Sequence, residues 1–123
     1  MDFETYQKQA ISYIPLIEAA EFSSYQGLPE TRIPTVERNA LNEGTRLLED
    51  PSFKDKLCPF LRGVAQNTQE IAAAIIPIMF PMVVAGTISA IPAVAAAVAY
   101  IVFKSGIDSI CKSNPPPSTG SPA

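Results

Sequence analysis

The hydrophobic pattern of this chain changes abruptly a little beyond its midpoint. In residues 1–66, apolar side chains recur at intervals of three and four positions, and charged side chains fill many of the positions between them. That period is typical of amphipathic α-helices, which bury one face and expose the other. Residues 71–103, by contrast, contain no charged side chain at all. The pattern therefore predicts an all-α protein, with a small N-terminal helical bundle followed by a long apolar, proline-broken helical segment.

Three amphipathic helices are predicted before the apolar segment. They cover about residues 2–21, 35–49 and 51–64, with a loop over 22–34. Asp2 and Asp50 precede the first and third helices as N-cap residues, because a carboxylate there accepts hydrogen bonds from free backbone amides. Pro15 interrupts the first helix and Pro59 the third, and proline removes a backbone donor within a helix. We therefore expect the first helix to kink or split at Pro15.

The apolar segment is too long to be one straight membrane-crossing helix. A hydrocarbon core about 30 Å thick is crossed by about 20 helical residues, whereas residues 71–103 would extend about 50 Å. Pro77, Pro81 and Pro92 lie within the segment. Because proline bends or breaks a helix, these residues mark the expected helix breaks.

Two arrangements of the apolar segment stay open at this point. In the first, residues 84–103 form a single membrane span, and the preceding residues lie against the membrane surface or the bundle. In the second, the segment forms a helical hairpin that turns near Gly86-Thr87. Each arm of that hairpin is short for a full crossing, so the hairpin would be either re-entrant or the buried core of a soluble protein.

Small side chains recur along the single-span version of this segment. They define a predicted helix-association face made of Ala85, Gly86, Ser89, Ala90, Ala93 and Ala97. Small residues at such spacing let two helices approach closely in lipid. Self-association is therefore predicted, with an alanine-rich composition as the simpler alternative explanation.

Charged and aromatic residues flank the apolar segment. Glu70 precedes it, Lys104 follows it, and Tyr100 lies one turn before Lys104, where an aromatic ring suits a membrane interface. The predicted organisation is an amphipathic helical region over 1–66, an apolar membrane-inserting segment over 67–104 and a polar Pro/Ser-rich tail over 105–123. In architecture, this layout resembles that of a tail-anchored protein.

The composition argues against several classes of function. The chain has no histidine, which removes the commonest general base and metal ligand, and no Ser-His-Asp arrangement can form. No catalytic, cofactor-binding or metal-binding residues are predicted, and no cofactor. The formal net charge is −3 and the basic residues are scattered, so nucleic acid is not an expected partner. Cys58 and Cys111 could form a disulfide in an oxidising compartment, but unpaired thiols are the default expectation.

The sequence thus favours a non-enzymatic small membrane protein whose apolar segment inserts and self-associates. Its output would be membrane permeabilisation, as in cell-death or defence effectors, or anchoring of a partner. The expected partners are the lipid bilayer, further copies of the chain and a protein bound by residues 1–66. Because no secretory signal precedes them, residues 1–66 are expected on the cytoplasmic side. The alternative is a soluble all-helical interaction module in which Ile71–Phe103 forms a buried hairpin.

Overall fold

The computed structural model describes residues 2–25, 35–63 and 67–111. Within these ranges it contains six helices and no strand, which confirms the all-α prediction. The helices are α1 (Phe3–Tyr25), α2 (Thr35–Leu48), α3 (Pro51–Leu61), α4 (Thr68–Val84), α5 (Pro92–Ser105) and α6 (Ile107–Cys111).

Polar side chains cap three of these helices. An Asp2 carboxylate oxygen accepts a hydrogen bond from the Thr5 amide at 2.7 Å, and an Asp50 oxygen accepts one from the Ser52 amide at 3.0 Å. Both caps were predicted from the sequence. Asn67 caps α4 in the same way, with its side-chain oxygen 2.8 Å from the amide nitrogen of Glu70. Each cap pairs an amide that the first helical turn leaves without a partner.

Helix α1 runs through Pro15 without being split there. Of the two outcomes predicted at Pro15, a kink or a split, the split does not occur, and the helix also extends beyond the expected end at residue 21 to Tyr25. Packing explains the continuity, because Ile14 and Ile17, on either side of the proline, are both buried in the core. The remainder of the predicted loop, residues 26–34, lies outside the described residues.

The apolar stretch forms a hairpin of two helices, α4 and α5, joined by residues 85–91. The single span over 84–103 is not formed, because the turn occupies its first third. Pro92 is the first residue of α5 and does not bend it, whereas Pro77 and Pro81 lie inside α4. Across the described ranges, no helix combines the length and the hydropathy that crossing a membrane requires.

Helix α5 forms the centre of the molecule. Every residue from Ala93 to Ala99 is buried, and so is Val102. Helices α1, α2 and α4 all pack against α5. One hydrophobic core includes side chains from all six helices. Residues 1–66 and 67–104, predicted as separate regions, therefore share that core.

A disulfide joins Cys58 of α3 to Cys111 of α6, with the two Cα atoms 5.8 Å apart. The default expectation of unpaired thiols is therefore wrong. Both cysteines are buried and are separated by 53 positions in sequence. The covalent loop that they close contains the whole apolar hairpin. Helix α6 begins the predicted tail, and residues 112–123 lie outside the described part of the chain.

Candidate functional site

The turn of the apolar hairpin is an exposed surface without charged side chains. We call residues 83–91 the hairpin tip. Its two large exposed side chains are Val84, which is 70% exposed, and Ile91, which is 51% exposed. Ala85, Gly86, Thr87 and Ala90 are exposed between them. The tip therefore presents aliphatic and small side chains to its surroundings, with no charge among them.

Local hydrogen bonds fix the first half of the tip. The Gly86 amide donates to the Val83 carbonyl at 3.0 Å, and the Thr87 amide donates to the Met82 carbonyl at 2.9 Å. This pair of bonds is the Schellman motif that ends many helices. It requires a left-handed residue, and Gly86 supplies it with a φ of 79°. The Thr87 hydroxyl also donates to the Met82 carbonyl, at 3.1 Å.

The second half of the tip leads into α5. The Ser89 hydroxyl oxygen accepts a hydrogen bond from the Ile91 amide at 3.2 Å. Ile91 is the N-cap residue of α5, and its side chain makes no capping hydrogen bond. Pro92 then starts the helix, where its missing amide proton costs nothing. The hydroxyl of Thr87 thus bonds to the last turn of α4 and that of Ser89 to the backbone of the tip, so both hydroxyl groups have local partners.

Two grooves adjoin the tip. One, of about 500 Å³, lies between α3 and α4 and is lined by Phe60, Met82 and Ala85 among others. The other, of about 330 Å³, runs between the start of α5 and helices α1 and α2, beside Val36 and Ile91. Phe60 and Val36 are themselves exposed. The exposed apolar surface therefore continues from the tip into both grooves.

The predicted helix-association face is divided between two environments. Ala93 and Ala97 are fully buried inside the bundle. Ala85, Gly86, Ser89 and Ala90 lie in the turn, so the six residues do not share one helix face. Close approach through small side chains does occur, but within the chain, where α2 packs against α5. Association between copies stays a prediction.

The predicted interfacial residues lie at the opposite ends of the hairpin helices from the tip. Glu70 is exposed in the first turn of α4, and Tyr100 is half-buried in α5. The Lys104 ammonium group lies 3.3 Å from a carboxylate oxygen of Glu21, in an exposed ion pair that joins α5 to α1. These three residues therefore do not belong to the tip surface.

Sequence reasoning missed the exposure of Val84 and Ile91. Inside a charge-free run of 33 residues, their hydropathy does not separate them from buried neighbours. A signal was available for Ile91 only. A glycine at 86 and a proline at 92 form a helix stop followed by a helix start, and Ile91 lies between them. Val84 precedes the glycine, as the last residue of α4.

The shifted pKa values belong to groups outside the tip. Bonding to the Thr5 amide lowers the pKa of Asp2, and the ion pair with Glu43 raises the pKa of Arg46. Burial raises the pKa of Tyr6 to about 12.

The described residues contain no group of three or more cysteine, aspartate, glutamate or histidine side chains placed to hold a metal ion. The chemistry that the tip itself offers is apolar contact. No protein-family model matches the chain, and no curated protein or solved structure matches it either.

Proposed function

We propose that this protein is a non-enzymatic helical binding module that acts through its hairpin tip. The observation that carries the proposal is a contrast within one charge-free stretch. Residues 93–99 of α5 are buried, whereas Val84 and Ile91, at the turn, are 70% and 51% exposed. The stretch therefore forms both the core that stabilises the bundle and an apolar surface that remains uncovered.

The position of the exposed side chains supports a binding role. Single exposed apolar residues are ordinary on a protein surface, but a contiguous group is typical of an interaction site. Here Ile91 lines the groove that contains Val36, and Ala85, next to Val84 in the chain, lines the groove that contains Phe60. The remaining exposed large apolar residues, Leu16 and Phe103, lie outside the turn, in α1 and α5.

Site-specific photo-crosslinking tests this function without knowledge of the partner. A benzophenone side chain placed at Val84 should give adducts, to protein or to lipid, in cells that express the full chain. The same group at Phe103, which is also exposed, is the matched control and should give few.

Adding Ile91→Asp to the Val84 crosslinker should abolish the adducts. Ile91 occupies the N-cap position of α5, where aspartate is favourable, so this change adds a charge without weakening the helix. Equal crosslinking from Val84 and Phe103, or adducts that survive Ile91→Asp, would contradict a role for the tip.

The disulfide bears on where such a module works. Disulfides persist in oxidising compartments and are rare in the cytosol. The bond between Cys58 and Cys111 therefore favours an oxidising location over the cytoplasmic placement expected for residues 1–66. Alkylation of intact cells followed by mass analysis of the purified chain tests this. Two alkylated cysteines would argue against it.

A second candidate function is membrane permeabilisation by release of the hairpin. It is favoured by one observation, that residues 71–103 form a charge-free hairpin whose second helix, α5, is covered by α1 and α2. In lipid, those helices would no longer need to cover it. Dye release from vesicles tests this candidate, measured with and without a reductant that opens the disulfide. Intact vesicles under both conditions would discard it.

A further inference from the structure

We propose that the partner of the hairpin tip is the interface of a lipid bilayer, which residues 84–91 enter while the bundle stays folded. The inference rests on the proposed function, because it assigns an occupant to the same surface. Amphipathic segments that bind in this way place apolar side chains about 5–10 Å deep, at the boundary between headgroups and acyl chains. The exposed turn of a hairpin suits that shallow depth, unlike a spanning helix.

The first argument is charge. The tip lies in the middle of a stretch that has no charged side chain from Ile71 to Phe103. Moving an ionised group out of water is costly, and the tip has none to move. The nearest charged residues along the two grooves are Asp55 and Lys56 on one side and Glu43 on the other. Because they are of both signs, the surface is not selective for anionic headgroups.

The second argument is hydrogen bonding. An unpaired backbone group in hydrocarbon costs several kcal/mol. At the tip, the amides of residues 85, 86, 87 and 91 all donate to partners within the tip or the last turn of α4. The amides of residues 88–90 have no such partner among the described residues. These three amides limit insertion to the depth at which headgroup oxygens and water reach them.

The third argument is the kind of side chain. Protein–protein interfaces are typically anchored by Tyr, Trp and Arg. The exposed residues of the tip are valine, isoleucine, alanine, glycine and threonine, none of which is an anchor of that kind. The exposed aromatic side chain of Phe60 lies outside the turn, in the adjoining groove. A lipid interface requires no such anchor, so the composition of the tip favours lipid.

The test uses a property of the whole chain, which contains no tryptophan. Val84→Trp therefore introduces a single fluorophore at the tip. Phe103→Trp introduces a matched fluorophore near the far end of α5, about 16 Å along the helix from Pro92. With phosphatidylcholine vesicles, the emission of the tip variant should shift to the blue and be quenched by brominated acyl chains. The control variant should show neither change.

Flotation of the otherwise unaltered protein with the same vesicles gives the affinity. Val84→Asp and Ile91→Asp should each weaken partitioning about tenfold or more, because each brings a charge into the interface. Phe103→Asp should leave it unchanged. Binding should also be insensitive to salt and to the addition of anionic lipid, since no charge on the tip takes part. Unchanged thermal unfolding of the variants confirms that they fold.

Three results would overturn the proposal. The unaltered protein could fail to float, the tip variants could float as well as it does, or Val84→Asp could abolish a dimer that forms without lipid. The last result would assign the tip to a second copy. Failure to float, together with protein adducts from Val84, removes lipid as the partner but leaves the binding module. Absence of both floating and adducts removes both.

Discussion

Gly44 of α2 lies directly against Ala97 of α5. A Cβ atom at position 44 would stand 3.2 Å from the Cβ of Ala97 and 3.3 Å from the amide nitrogen of Val98. The second contact is to backbone, which cannot rotate aside. This pair sets how closely the second helix approaches the buried centre of the bundle.

We therefore expect Gly44→Leu to destabilise the fold by about 3 kcal/mol through overpacking. Asn42→Leu is the matched control, because it places the same side chain on the exposed side of α2. Urea denaturation of both variants measures the difference. Similar midpoints for the two would mean that α2 and α5 are not in close contact.

Ala90 and Ala93 belong to the same predicted helix-association face but lie in different environments. Ala93 is fully buried, whereas Ala90 is exposed at the tip. Ala93→Leu should lower the free energy of unfolding by about 2 kcal/mol, and Ala90→Leu should have little effect. If Ala93→Leu instead left stability intact and dissociated oligomers, the face would lie between copies, as the single-span prediction had it.

Removing the hydroxyl group of Tyr6 should stabilise the folded protein. The side chain is fully buried with its ring 5.6 Å from that of Phe80, and its hydroxyl has no hydrogen-bond partner among the described residues. A buried polar group without a partner costs about 1–3 kcal/mol. Tyr6→Phe should thus raise the free energy of unfolding by about 1 kcal/mol, measured by denaturant titration. Tyr13→Phe, at a half-buried position, serves as the control, and a less stable Tyr6→Phe would reveal an unseen partner of the hydroxyl.

The same hydroxyl should make the protein sensitive to alkali. Burial raises its pKa from 10.0 to about 12, so the folded state favours the neutral form. Below pH 10 this ionisation leaves the free energy of unfolding unchanged. As the pH rises from 10 towards 12 the free energy of unfolding falls, because the unfolded chain ionises first. Stability measured across this range should fall less steeply in Tyr6→Phe. Parallel curves for the two proteins would contradict this assignment.

Removing the disulfide should cost about 4 kcal/mol, the loop-entropy value for a bond closing 53 positions. Cys58→Ala/Cys111→Ala and the reduced protein should lose a similar amount, measured against the oxidised protein in guanidinium chloride. The double variant is also the control for the reductant, which should not affect it. A double variant as stable as the oxidised chain would show that the bond does not constrain the unfolded state.

Much of the fold follows from local sequence signals. The helical period, the caps at Asp2 and Asp50 and the break near Gly86 depend only on neighbouring residues, and each agrees with the structure. A split at Pro15 does not occur, because burial of the adjacent turns outweighs one missing backbone bond. Tertiary packing of this kind cannot be read from the residues around the proline.

The environment of the apolar stretch could not be predicted in the same way. A run such as Ala93–Ala99 satisfies equally well the requirements of lipid and of a protein interior, because both exclude charge. What distinguishes them is distant in sequence. Gly44 and Ile17 belong to helices that pack around α5. The residues near position 93 give no indication of these contacts. The pairing of Cys58 with Cys111 depends on the same long-range arrangement.

The bond between Cys58 and Cys111 also makes a ring of the residues between them. Neither helix of the hairpin then has a free end, so any outward movement must begin at the turn and take both helices together. A protease that cuts once between residues 85 and 91 would produce two fragments that still migrate as one species. They would part only when a thiol reagent opens the ring.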